Sequence, residues 1–84
     1  MYYVYFLKLN NGNIYKGSTG DIQRRIGEHN NGKVASTCNH RPTVLIGFEA
    51  YTLKTDVQRR EKFLKTTEGR RLLKQQYRDI INQT

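Results

Sequence analysis

Tyr2-Tyr3-Val4-Tyr5-Phe6-Leu7-Lys8-Leu9, then Asn10-Asn11-Gly12-Asn13, then Ile14-Tyr15-Lys16-Gly17-Ser18: this stretch decides the fold. The first run is rich in β-formers and carries apolar side chains at both parities, as a strand covered on both faces does. Asn and Gly tolerate positive φ, so residues 10–13 read as a hairpin turn with Ile14 to Ser18 as the returning strand. Turn length sets the register, and register decides which side chains share a face. A two-residue Asn11-Gly12 turn pairs position 5 with 18 and separates Tyr5 from Tyr15. An odd-length loop with Gly12 left-handed at a bulge pairs 5 with 17 and aligns them. The second register is expected if the two tyrosines act together.

Working outward, Asp21 can cap a helix from Ile22 to Asn30, with Gly32 just beyond its end. Arg25 and His29 are spaced i,i+4 on it and share a face. Residues Gly32 to Arg41 are polar and loop-like, and Pro42 disfavours helix at Arg41. Val44 to Thr52 reads as a third strand, and its Val-Leu-Ile start suggests a central position. Thr55 is expected to open the next helix, with Gln58 completing a capping box and Val57, Phe63 and Leu64 as its apolar surface. Glu68 to Asn82 reads as one last amphipathic helix burying Leu72, Leu73, Tyr77, Ile80 and Ile81. The order β-β-α-β-α-α predicts a single α+β domain over residues 1–84, a three-stranded antiparallel sheet with flanking helices.

Eighty-four residues leave no room for a second core. The single cysteine, Cys38, excludes an internal disulfide, and Cys38-Asn39-His40 falls short of a closed metal site. No segment reaches the roughly 18 apolar residues of a membrane span. The start lacks the pattern of a signal peptide, so a cytoplasmic protein is expected. Fifteen basic residues against seven acidic ones give a net charge of +8. Such a field attracts polyanions: nucleic acid and an anionic membrane both qualify as partners, and a protein that is merely basic is the plain alternative.

Few side chains offer chemistry. Glu61 lies four residues after Val57 and three before Leu64, on or beside a face that should be buried. It is either a rim carboxylate paired with Arg60, Lys62 or Lys65, or the carboxylate that holds one hard divalent cation, since Mg²⁺ needs only one or two from protein. Arg25 is either solvated or a forked phosphate contact able to stabilise charge on a phosphoryl centre. His29 either caps its helix end or donates to a phosphate and relays a proton. Tyrosines are most often core residues, and a phenol is a poor base at neutral pH unless cations lie close. The basic run Arg59, Arg60, Lys62, Lys65, Arg70, Arg71, Lys74 could track a phosphate backbone or simply be solvated.

Taken in order and spacing, these residues resemble the GIY-YIG nuclease superfamily, in particular small single-domain bacterial members similar to the N-terminal nuclease domain of excinuclease. Tyr3-Val4-Tyr5 stands where the first motif belongs and Tyr15-Lys16-Gly17 where the second does. Gly17 to Arg25, followed by Glu28-His29-Asn30, looks like the family's arginine-bearing helix. Arg60-Glu61-Lys62 carries the expected acid, and Lys65-Thr66-Thr67-Glu68-Gly69-Arg70 resembles the tail of the small members. The resemblance implies a metal-dependent phosphodiesterase using one Mg²⁺ or Mn²⁺. Tyr5 and Tyr15 would activate and position water, Arg25 would stabilise the charged phosphorus, and His29 would assist at the phosphate. Glu61 would hold the metal against the leaving 3′-oxygen. Tyr3 replaces the first motif's glycine, Val4 its isoleucine, and Lys16 the isoleucine of the second motif. Lys16, Arg24, Arg59, Lys62, Lys65 and Arg70 are the expected nucleic-acid contacts.

The sequence thus predicts an endonuclease acting on DNA by structure rather than base sequence, in repair or processing, with RNA and a partner protein as further candidates and no membrane. Two rivals share the charge and the fold: a non-catalytic nucleic-acid-binding module, and a protein-interaction domain that docks through its third helix.

Overall fold

The computed structural model describes residues 1–83. Strand β1 (Tyr2–Lys8) lies between β2 (Ile14–Thr19) and β3 (Val44–Tyr51) in an antiparallel sheet ordered β2-β1-β3. Helix α1 (Ile22–Asn30) follows β2; α2 (Lys54–Leu64), α3 (Thr67–Gln76) and a short α4 (Arg78–Ile81) follow β3. Val4, Tyr5, Phe6 and Leu7 are all almost fully buried, which is what apolar side chains at both parities require of a central strand. Val4 and Phe6 form one core with Val57, Leu64 and Leu73 from α2 and α3, and Ile14, Ile46, Tyr51, Phe63 and Tyr77 pack at its margin. Tyr5 and Leu7 face the other way.

The hairpin takes the odd register. Tyr5 pairs with Gly17 and Leu7 with Tyr15, so the tyrosines share a face. The loop is Asn10-Asn11-Gly12, closed by Gly12 N–H to the Leu9 carbonyl at 3.0 Å and Leu9 N–H to the Asn13 carbonyl at 2.9 Å. Gly12 sits at φ +87°, the left-handed bulge position that glycine fills without steric cost. Helix α1 begins and ends as its sequence indicates. The Asp21 carboxylate accepts from Arg24 N–H at 3.1 Å. Gly32 N–H donates to the His29 carbonyl and Lys33 N–H to that of Glu28, a Schellman ending with Gly32 at φ +74°.

Three expectations fail, each for a physical reason. Strand β3 is an edge strand, not the central one. Its apolar start meets solvent, Val44 and Phe48 being more than half exposed, and a bulge shifts its pairing between Phe6 and Leu7. Helix α2 opens at Lys54 after Leu53, with no side-chain cap, so the Thr55–Gln58 capping box does not form. The last helix starts one residue earlier than Glu68, capped by Thr66 Oγ1 accepting from Gly69 N–H, and it breaks at Tyr77 into α3 and α4. Leu73 is buried, but Leu72 is 39% exposed. The break lets the Tyr77 ring turn onto Phe6, with centroids 5.4 Å apart, and onto Gly47, where a Cβ would overlap its hydroxyl.

Candidate active site at the edge of the second strand

The Tyr5 ring runs outward from the central strand across Gly17, so closely that a Cβ at 17 would overlap its hydroxyl. The glycine of the second motif is thus the window through which a buried tyrosine reaches the margin of the sheet. Helix α1 brings two groups to that hydroxyl. His29 Nε2 lies 2.8 Å from the Tyr5 oxygen, and Arg25 Nε donates to it at 3.4 Å. Tyr15, half-buried, packs edge-on against His29 with centroids 5.1 Å apart and lies 6.3 Å from the Tyr5 ring. The odd hairpin register therefore places Tyr5, Tyr15, Arg25 and His29 in one cluster.

His29 is completely buried, and its second nitrogen, Nδ1, is 2.7 Å from Thr37 Oγ1. Helix α1 is turned by its Schellman ending into a loop in which Val34 and Thr37 are both buried, Thr37 against the imidazole. Neither a helix-end cap nor an exposed phosphate ligand describes this histidine. Burial, then the Arg25 guanidinium, hold it below the usual histidine range, so it is neutral at pH 7. Burial raises the Tyr5 phenol above its ordinary value, although the hydrogen bond from Arg25 works against that rise. Tyr5 is therefore a phenol at rest. Its buried proton needs an acceptor; Arg25 only donates, so the proton points at His29 Nε2 and Nδ1–H donates to Thr37.

Arg25 is held by a second contact, Nη1 to Glu28 Oε1 at 3.0 Å. Glu28 also pairs with Arg24 at 3.0 Å, which keeps Arg24 on the exposed flank of α1. Glu61 approaches from α2, on the other side of the β2 margin. Its side chain is 21% exposed and pairs with Lys65 Nζ at 2.9 Å, a pairing that belongs to the rim reading of this residue, the other being a metal-holding carboxylate. Burial alone would push its carboxyl up; the neighbouring Ser18 hydroxyl and Lys65 outweigh that and hold it below the ordinary range, hence ionised. Gly17 and Ser18, adjacent in β2, thus serve opposite sides of one edge.

The remaining expected contacts scatter. Arg59 pairs with Asp56 at 2.9 Å beside Tyr51 and Phe63, and Lys62 is exposed on α2. Lys16 and Arg70 line a common cleft near Lys65. Thr37 and Ser18 were missed by sequence reasoning. Thr37 has no pattern that marks it, being joined to His29 only through the loop; Ser18 could have been found as the neighbour of Gly17 whose side chain must point to the opposite face.

The chain belongs to the GIY-YIG family: its residues 1–77 match the GIY-YIG catalytic domain. That is a nuclease-type domain, and the α+β fold is in keeping with it. The chain is similar to UPF0213 proteins, a small group of this type. It is 39% identical over 74 residues to one from Staphylococcus epidermidis, covering 87% of this chain and 90% of that protein. It is 38% identical over 74 residues to one from Staphylococcus haemolyticus, with the same coverage. It is 38% identical over 66 residues to one from Halobacterium salinarum, covering 77% of this chain and 86% of that one. No solved structure matches the chain.

Proposed function

We propose that this protein is a divalent-metal-dependent endonuclease that hydrolyses phosphodiester bonds in DNA, choosing its substrate by shape. The observation that carries the reading is the Tyr5 hydroxyl, held between Arg25 Nε and His29 Nε2 at the margin of β2. A phenol with a raised pKa is a weak base by itself. Paired with a neutral imidazole it needs no phenolate. Tyr5 accepts a proton from the attacking water as its own passes to His29 Nε2, and the incipient hydroxide adds to phosphorus. Thr37 accepts from His29 Nδ1–H and stabilises the imidazolium that forms. Arg25 stays at the phosphate side, where a guanidinium stabilises charge on the phosphoryl oxygens. Tyr15 orients the water from the same face.

Among the described residues no group of three or more His, Cys, Asp or Glu converges. A single ionised, half-buried carboxylate nevertheless suits one hard cation, whose other ligands are water and phosphate oxygens. Glu61 would hold Mg²⁺ or Mn²⁺, which would act as a Lewis acid on the departing oxygen. Lys16, Arg24, Arg59, Lys62, Lys65 and Arg70 are the expected nucleic-acid contacts, without base reading. Placement in repair or processing and a cytoplasmic location follow from the same reading.

The test is cleavage of plasmid, branched and single-stranded DNA with Mg²⁺ or Mn²⁺. Glu61→Gln and Arg25→Ala should each lose at least about 100-fold in rate, as when a single charge-stabilising group is removed. No cleavage of any substrate, or full activity in both variants, would overturn the assignment.

A further inference from the structure

All seven acidic residues of the chain are already taken. Asp21 and Glu28 pair with Arg24, Glu49 with Arg60, Asp56 with Arg59, Glu61 with Lys65, Glu68 with Arg71 and Asp79 with Arg78. Three of the remaining cations share one cleft of about 300 Å³, lined by Asn13, Ile14, Lys16, Arg70, Leu73 and Lys74 with no carboxylate. The cleft is built rather than accidental. A Cβ on Gly69 would overlap the Phe63 carbonyl, so α3 lies hard against the end of α2. Buried Leu73 forms the floor, and Arg70 and Lys74, one turn apart, stand over it. Lys16 enters from β2, opposite Phe6. It is half-buried, and burial, then Arg70, Lys65 and Lys74, hold its ammonium below the ordinary lysine value. Cations gathered this way repel one another, and an anion between them removes that repulsion.

We propose that this cleft binds a backbone phosphate of the nucleic-acid strand distinct from the phosphate being hydrolysed. Strand β2 joins the two places. Lys16 and Ile14 lie about 7 and 13 Å from Ser18 along an extended strand, a span of roughly one to two nucleotides. The position relative to the scissile bond rests on the nuclease reading above; phosphate binding by the cleft does not. Lys16, Arg70 and Lys74 are therefore set apart from Arg24 and Arg59, whose charges are already paired.

Binding is measured by fluorescence anisotropy of a labelled oligonucleotide over a salt series, with Glu61→Gln protein so that nothing is cut. Arg70→Ala and Lys74→Ala, both at exposed positions, should each weaken binding and lower the slope of log K against log salt by about 0.7–0.9. Lys33→Ala, remote from the cleft, should change neither. Unchanged slopes in both cleft variants overturn the proposal. So does equal competition by inorganic phosphate or polyglutamate, which would make the cleft a general anion site. Neutral methylphosphonate linkages, introduced one at a time, should reveal one position that costs affinity, with the cost absent in Lys74→Ala; a cost that persists there also overturns it. A wild-type protein that cuts nothing removes the nuclease reading and leaves these binding results standing. Cleavage with unchanged slopes does the reverse.

Discussion

At the scale of single residues, His29 is where sequence and structure differ most. Its i,i+4 spacing from Arg25 was visible, but an imidazole with no solvent contact was not, because its partner Thr37 lies in a stretch whose polarity reads as loop. Its lowered pKa has two consequences. In the proposed mechanism the neutral ring is the proton acceptor, so cleavage should fall as pH drops through a value below 6.5 and stay flat above it. A rate profile in which His29→Gln keeps the same acid limb would remove His29 from the proton path. The stability consequence has the same sign. With the folded-state pKa depressed, the contribution is complete above about 6.5 and is lost as pH falls through the folded value. Melting temperature should therefore decline on acidification more steeply in the wild type than in His29→Gln. Thr37→Val leaves Nδ1–H unpaired and should cost about 1–3 kcal/mol by urea denaturation.

At the scale of elements, the hairpin was legible almost in full. Its loop composition allowed a left-handed glycine, and of the two registers left open the structure adopts the one expected if the two tyrosines act together. Gly12→Ala at φ +87° should destabilise by about 1–2 kcal/mol. Gly17→Ala should do something different, because the added methyl displaces the Tyr5 hydroxyl. Cleavage should fall by more than 10-fold while circular dichroism still reports a folded protein; unimpaired cleavage would show that Tyr5 need not reach the margin. Helix α1 was legible because its cap and stop signals act locally. The capping box of α2 was not, because residues 53–54 enter the helix before Thr55 can serve as cap. Nor was the break at Tyr77, which answers to ring packing on Phe6 and Gly47 rather than to any local breaker.

At the scale of the whole molecule, strand order departs from expectation because an apolar opening need not be a buried one. Val44 and Phe48 stay exposed since no strand among the described residues covers that margin, whereas β1 has partners on both sides. Besides its backbone ladder with β1, β3 is tied down by an ion pair. Glu49 accepts from Arg60 Nε and Nη2 at 3.0 and 3.1 Å and from the Tyr51 hydroxyl at 2.7 Å. Removing Arg60 strands a half-buried carboxylate, so Arg60→Ala should lower stability by about 1–3 kcal/mol, read from a denaturant midpoint. The loss should ease as pH falls and Glu49, whose carboxyl is held low in the intact protein, becomes protonated. If Arg60→Ala leaves the midpoint unmoved, this staple is ornamental.

The sheet has two free margins, and the groups proposed to carry the chemistry line only one of them. A protein that extended the sheet beside β2 would cover Gly17 and Ser18 and silence the site by occlusion alone, without touching a single reacting side chain. One that joined beside β3 would leave it open. Attachment, anchoring and assembly thus have a permissive side and an inhibitory side, set by strand order before any partner is chosen.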